Sequence, residues 1–153
     1  MHALLINRLR RNERGSAMLE MALTIPMLLL VSVGIFEFGR AYQTWQIMTN
    51  AAREGARLAV LPSATEAGVK TRVKDYLKAG QLGRWNDANI ALNPTAKIDI
   101  GGGGQANASI VTVEYPFQFM VLGPIAKLVK PKSTLGTALT LKTSAEMRNE
   151  SQF

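Results

Sequence analysis

An apolar run from Ala17 to Phe38, broken only by Glu20, Thr24, Pro26, Ser32, Gly34 and Glu37, constrains this chain more than any other feature. As a helix it would rise about 33 Å, close to the roughly 30 Å thickness of a bilayer's hydrocarbon core. A dry core helix in a soluble protein is seldom so long, and seldom abuts a cation cluster such as Arg8, Arg10, Arg11 and Arg14. Those four arginines, opposed there by Glu13 alone, supply nearly half of the net charge of +7. Cations before a span keep that end cytoplasmic. The spacing therefore predicts a single-pass protein of the inner (cytoplasmic) membrane, with its N-terminus cytoplasmic and the remainder periplasmic or extracellular. Arg40, Tyr42 and Trp45 follow the run, the two aromatics suited to the membrane–water interface. A cleaved secretory signal would end in a small-x-small site and a polar break. Here the run passes straight into another helical pattern, so it is expected to be retained.

The acid inside the run demands a reason, because a carboxylate at the bilayer centre costs from about 2.5 kcal/mol upward. The plain reading is that Glu20 snorkels to the cytoplasmic interface. A sharper one begins at Gly15. If the chain is cut between Gly15 and Ser16, a new ammonium appears on Ser16, and Glu20 lies about one helical turn away. The two charges can pair within one chain or between neighbours, which offsets the burial of either and supplies a register signal.

The segment "AYQTWQIMTNAAREGARLAVLP" has no proline before Pro62 and continues the helix, so that 16–61 is expected to be one helix about 69 Å long. Tyr42, Trp45, Thr49, Ala52, Ala56 and Ala59 recur at helical spacing as one packing face, with Arg53 and Arg57 on another and Glu54 three residues before Arg57. Gly34, Gly39 and Gly55 are places where such a helix can bend. A second helix is expected from Ser63, with Ser63 and Glu66 as a capping box and Gly80 as the stop. Its apolar face is Val69, Val73, Tyr76 and Leu77. After the polar connection "QLGRWNDANIALNPT", three strands are expected: "AKIDI", "ASIVTVEYPFQF" and "ALTLKTSAEM". The first two are joined by the glycine loop at 101–104. In the last, Leu139, Leu141, Ala145 and Met147 share a face. The fold class is α+β, a long N-terminal transmembrane helix running into a small domain with a second helix and a three-stranded antiparallel sheet. One apolar face of that sheet needs a cover, which the outer half of the long helix can provide.

Catalytic equipment is sparse. There is no cysteine, and the one histidine is His2. The glycines at 101–104 are not followed by a Lys-Ser/Thr pair, as a phosphate-binding loop requires. Asp75, Asp87, Asp99 and Glu114 share no site-like spacing. The basic balance lacks the aromatic interleaving of a nucleic-acid surface. No enzyme activity, metal, cofactor, nucleic acid or small-molecule substrate is expected.

A basic leader ending in glycine, a glutamate fifth after it, and a long apolar helix running into a small domain resemble a type IV prepilin-class signal. More specifically, "RGSAMLEMALTIPMLLLVSVGIFEFGR" with "TNAAREGARLAV", and the closing "SAEMRNE", are similar to the TadE-like family of tight-adherence (Tad, or Flp) pilus systems. The resemblance is close over the first 60 residues or so and only in outline beyond. It implies a minor pseudopilin, cut by a prepilin peptidase on the cytoplasmic side and used in assembling adhesive pili, hence in cell adhesion and biofilm formation. Its implied partners are the membrane, that peptidase, other pilins and pseudopilins, and the Tad assembly platform. Residue by residue, Gly15 becomes the last leader residue, Ser16 the mature N-terminus and Glu20 the pilin-type glutamate. The implied division is a cleaved leader at 1–15, a helix at 16–61 spanning the membrane from Ala17 to Phe38, and an extracytoplasmic domain at 62–153. Better-known type IVa pilins begin with phenylalanine and carry their helix proline later, so Ser16 and Pro26 depart from them and N-methylation is not implied. The alternatives are an uncleaved signal-anchored envelope binding protein and a pseudopilin of a secretion system.

Overall fold

The computed structural model of the protein describes residues 13–129 and 138–149. Arg8, Arg10 and Arg11 lie outside the described residues, and Arg14 is described in its backbone alone. The long helix is present as a single element, α1 (Glu13–Ala59), uninterrupted by Pro26 or by its glycines. It extends about 70 Å. Pro26 has no N–H to offer the Ala22 carbonyl, while Thr24 and Ser32 return their hydroxyls to the carbonyls of Glu20 and Leu28, each at 2.8 Å. The hydroxyl groups inside the apolar run are thereby absorbed by the helix itself.

The second helix, α2, spans Glu66–Ala79. Its cap is Thr65, whose Oγ1 accepts from the Gly68 N–H, and not Ser63, which lies in the preceding turn. Ser63 and Thr65 are both good caps by chemistry, and the turn after Pro62 consumes the first of them. Gly80 ends the helix as expected, standing as its C-cap. Its φ is −73°, and the left-handed residue is Gln81 at φ 59°. The amides of Leu82 and Gln81 bond back to Leu77 and Lys78, closing a Schellman motif whose apolar partners Leu82 and Leu77 both enter the core. Gly80 is needed for space, because a Cβ there would stand 2.5 Å from Ile47 Cγ2.

A short 3-10 turn (Trp85–Asp87) leads into β1 (Asn89–Asp99), β2 (Gln105–Phe117), a short helix α3 (Leu122–Val129) and β3 (Leu139–Arg148). The sheet is antiparallel in the order β1-β2-β3. β1 begins well before the expected strand and takes in Asn93-Pro94, which the sequence reading assigned to a connection. Proline is tolerated here because β1 is an edge strand and the register shifts between Asn93 and Ala96, a bulge that needs no N–H from Pro94. Asn149 locks that bulge, donating to the Pro94 carbonyl and accepting from the buried Ser109 hydroxyl. The hairpin loop takes three consecutive left-handed residues, Gly101 to Gly103, which is why glycine occupies them.

Register places Ile90 opposite Val113, Leu92 opposite Val111, and Ala145 opposite Val111 from the other side, so one face of the sheet is apolar. The outer half of α1 covers it with Met48, Ala51, Ala52 and Ala56, and α2 adds Val69, Val73 and Leu77. Tyr42 and Trp45 are exposed and lie outside this face. The packing stripe runs instead through Thr44, Met48, Ala52 and Ala56, one turn apart each time. Thr49 and Thr143 bring their hydroxyls within 3.2 Å across the α1–β3 contact.

Candidate functional site

Two regions of α1 carry the groups that chemistry singles out, and they differ completely in environment. The first is the inner end. Gly15, Ser16, Ala17 and Glu20 are all exposed, and so is every residue through Ser32. This is the one helix among the described residues long and apolar enough to cross a membrane, and none of the described residues covers its apolar stretch. A Cβ on Gly15 would meet nothing within 4 Å, so its small size serves no packing among the described residues. Glu20 enters no ion pair among the described residues. The inner end therefore presents a small residue, a hydroxyl residue and a carboxylate on an open helix surface.

The second region is the collar where the apolar run meets the domain. Glu37, the other acid of the run, is 1% exposed. Its Oε1 accepts from the backbone N–H groups of Val121 (2.5 Å) and Leu122 (3.3 Å), at the start of α3. Its Oε2 accepts from Arg40 Nη1 at 2.8 Å. A carboxylate from α1 thus caps the N-terminus of a distant helix, where unpaired amides and the helix dipole both favour negative charge. Arg40 in turn lies 5.2 Å from the centroid of the Phe117 ring at the end of β2. Glu37 and Arg40 so join α1, α3 and β2 at one level. In sequence terms Glu37 lies near the outer end of the run, where water or partners are easiest to reach. The structure shows it enclosed and fully engaged, a role signalled only by its i,i+3 spacing from Arg40.

Beside the collar lies an open cavity of about 450 Å³ whose lining includes Arg40, Thr44, Ile47, Arg84, Tyr115 and Phe119. Both arginines are already paired, Arg40 with Glu37 and Arg84 with Asp87. The Tyr115 hydroxyl accepts from the Arg84 N–H. Among the described residues no three His, Cys, Asp or Glu side chains gather as a metal site would require.

Charge pairs elsewhere fasten the elements together. Glu54 of α1 is held by Arg72 of α2 through Nη2 at 2.7 Å and Nε at 3.2 Å, rather than by Arg57 on its own helix. The Arg72 hydrogen bonds hold the Glu54 carboxyl below its ordinary value. Glu114 of β2 is likewise lowered, chiefly by Lys142 of β3 and then by Asn89 of β1.

Comparison with known proteins adds one finding. A family model described as TadE-like protein matches residues 15–57, which agrees with the resemblance carried by the leader, the apolar run and "TNAAREGAR". The match spans the membrane-length run, the collar glutamate and the small-residue packing face, and leaves the sheet outside it. No curated protein and no solved structure matches the chain.

Proposed function

We propose that this chain, similar over residues 15–57 to TadE-like proteins, is a minor pseudopilin of a Tad-type (Flp) pilus system. It acts structurally in pilus biogenesis and surface adherence and performs no catalysis of its own. A prepilin peptidase removes residues 1–15, the arginines of that leader having kept it cytoplasmic. Cleavage leaves an ammonium on Ser16, one turn from Glu20. The apolar part of α1 stores the subunit in the inner membrane, and the domain beyond it meets other pilins, pseudopilins or the assembly platform.

The observation that carries this reading is the TadE-like match. It falls on a helix whose inner half is exposed among the described residues, with Gly15 and Glu20 packed against none of them. A soluble domain would have buried such a helix against itself. Intact mass and N-terminal sequencing of the membrane-extracted protein test the proposal. The expected chain begins at Ser16 when the peptidase is active, and Gly15→Phe accumulates as the larger precursor. Recovery of full-length wild-type chain alongside an active peptidase would overturn processing and favour an uncleaved signal anchor.

A further inference from the structure

We infer that α3 is a membrane-surface helix, held by Glu37 against the lipid leaflet on the domain's side of the membrane; this rests on α1 spanning the bilayer. Position comes first. Glu37 lies about 30 Å along the helix from Ala17, one hydrocarbon thickness away. Its hydrogen bonds to Val121 and Leu122 pin the first turn of α3 at that depth. Whatever α3 exposes is therefore exposed at the boundary where the apolar run ends.

Composition comes second. α3 reads LGPIAKLV, and its surroundings leave large apolar side chains uncovered: Met120, Ile125, and Leu128 at 84% exposure. Pro124 has no N–H, and Glu37 satisfies the Leu122 N–H, so the exposed first turn has fewer amides that need water. From this level outward α1 also exposes aromatic side chains, Phe36, Phe38, Tyr42 and Trp45. Tyr42 keeps its hydroxyl satisfied by Gln46 at 2.7 Å. Together these residues continue the lipid-facing surface of the span onto the domain.

Charge selects the occupant. No acidic residue occurs between Glu114 and Glu146, whereas Lys127 lies in α3 and Lys130 and Lys132 follow it in sequence. The exposed apolar side chains together with Lys127 of α3 match a phospholipid interface, where the former enter the acyl boundary and the latter meets headgroup phosphates. Glu37 is then a positioning residue. It trades its own burial for a fixed height of α3, and so sets how deep α1 sits and how the domain is held above the bilayer.

The chain lacks cysteine, which permits single spin labels without background. Leu128→Cys, Leu29→Cys and Gln105→Cys are labelled separately in the full protein, reconstituted in phosphatidylethanolamine/phosphatidylglycerol vesicles. Collisions with oxygen, which concentrates in lipid, are compared with those of a water-soluble nickel chelate. Oxygen should dominate at Leu128 and at Leu29, and the chelate at Gln105. Chelate dominance at Leu128 with oxygen dominance at Leu29 overturns the inference and leaves the membrane span standing. Chelate dominance at Leu29 overturns both. Low collision with both reagents at Leu128 shows a protein neighbour, a second copy included, and also overturns it. Glu37→Gln should then lower the oxygen preference at Leu128 and leave Leu29 unchanged; an unchanged Leu128 would remove the positioning role from Glu37.

Discussion

At the scale of single residues, the glycines of α1 divide into two kinds that the sequence alone does not distinguish. A Cβ on Gly34 or Gly39 would meet nothing within 4 Å, whereas one on Gly55 would stand 2.5 Å from Val73 Cγ2 and 3.3 Å from Val111 Cγ1. Gly55 is where α1 approaches both α2 and the central strand, so it is required by packing rather than by backbone freedom. Gly55→Ala should therefore destabilise the domain by about 1–3 kcal/mol despite the better helix propensity of alanine. Val73→Ala opens the space that the new methyl group needs. The double variant should be more stable than the sum of the single effects, a favourable coupling readable in a thermal-unfolding cycle. Simple additivity would mean that the contact at Gly55 relaxes elsewhere. The two glutamates of the apolar run divide in the same manner, Glu37 absorbed by the fold and Glu20 left to the surroundings.

At the scale of elements, charge pairs add to the apolar core in fastening the pieces. Glu54–Arg72 ties α1 to α2, and Glu114–Lys142 ties β2 to β3. Both carboxyls are lowered, Glu54 mainly by hydrogen bonding from Arg72 and Glu114 mainly by that from Lys142. For a lowered carboxyl the stabilisation is complete above the unfolded value of about 4.3 and is lost as pH falls through the folded one. Thermal midpoints of the protein in nanodiscs, followed by Trp85 fluorescence in a Trp45→Phe background, should stay level from neutral pH to about 5 and decline below about 4. Glu54→Gln/Glu114→Gln should start lower at neutral pH and lose less on acidification; an equal acid loss would remove these pairs from the account. Periodicity made much of this architecture legible: the long helix, the second helix, and three strands, the last turning Leu141 and Ala145 toward the core. What sequence patterns missed was set by tertiary partners. Pro94 reads as a breaker until the β1 edge and its bulge are known. Gly80 reads correctly as the helix stop, but the space it leaves for Ile47 has no signature in the pattern. Glu37 reads as a wet acid because its partners, the amides of Val121 and Leu122, lie more than eighty residues away.

At the scale of the whole molecule, α1 belongs to two environments. Its outer half completes a core with the sheet and α2, while residues 15–32 are all exposed among the described residues. A helix left uncovered over that length is stable only where lipid or other subunits cover it, and Glu20 is the group for which these two coverings differ most. In lipid alone its charge is a cost, of order 2.5–3.5 kcal/mol if it sits at the bilayer centre. Beside the ammonium of a processed neighbour it becomes half of a pair, and the same desolvation that penalises it alone strengthens the attraction. The two coverings therefore predict opposite consequences for its removal. Glu20→Ala should insert as well as the parent or better, measured by resistance to carbonate extraction, and the domain should keep its thermal midpoint because the core begins far from residue 20. Incorporation into sheared pili, or pilus number per cell, should fall several-fold, and Glu20→Gln should fail similarly because it keeps the shape and lacks the charge. Full piliation by both variants would sink the docking role and leave Glu20 an acid that merely reaches water. Failure of alanine with rescue by glutamine would assign the role to hydrogen bonding instead of charge.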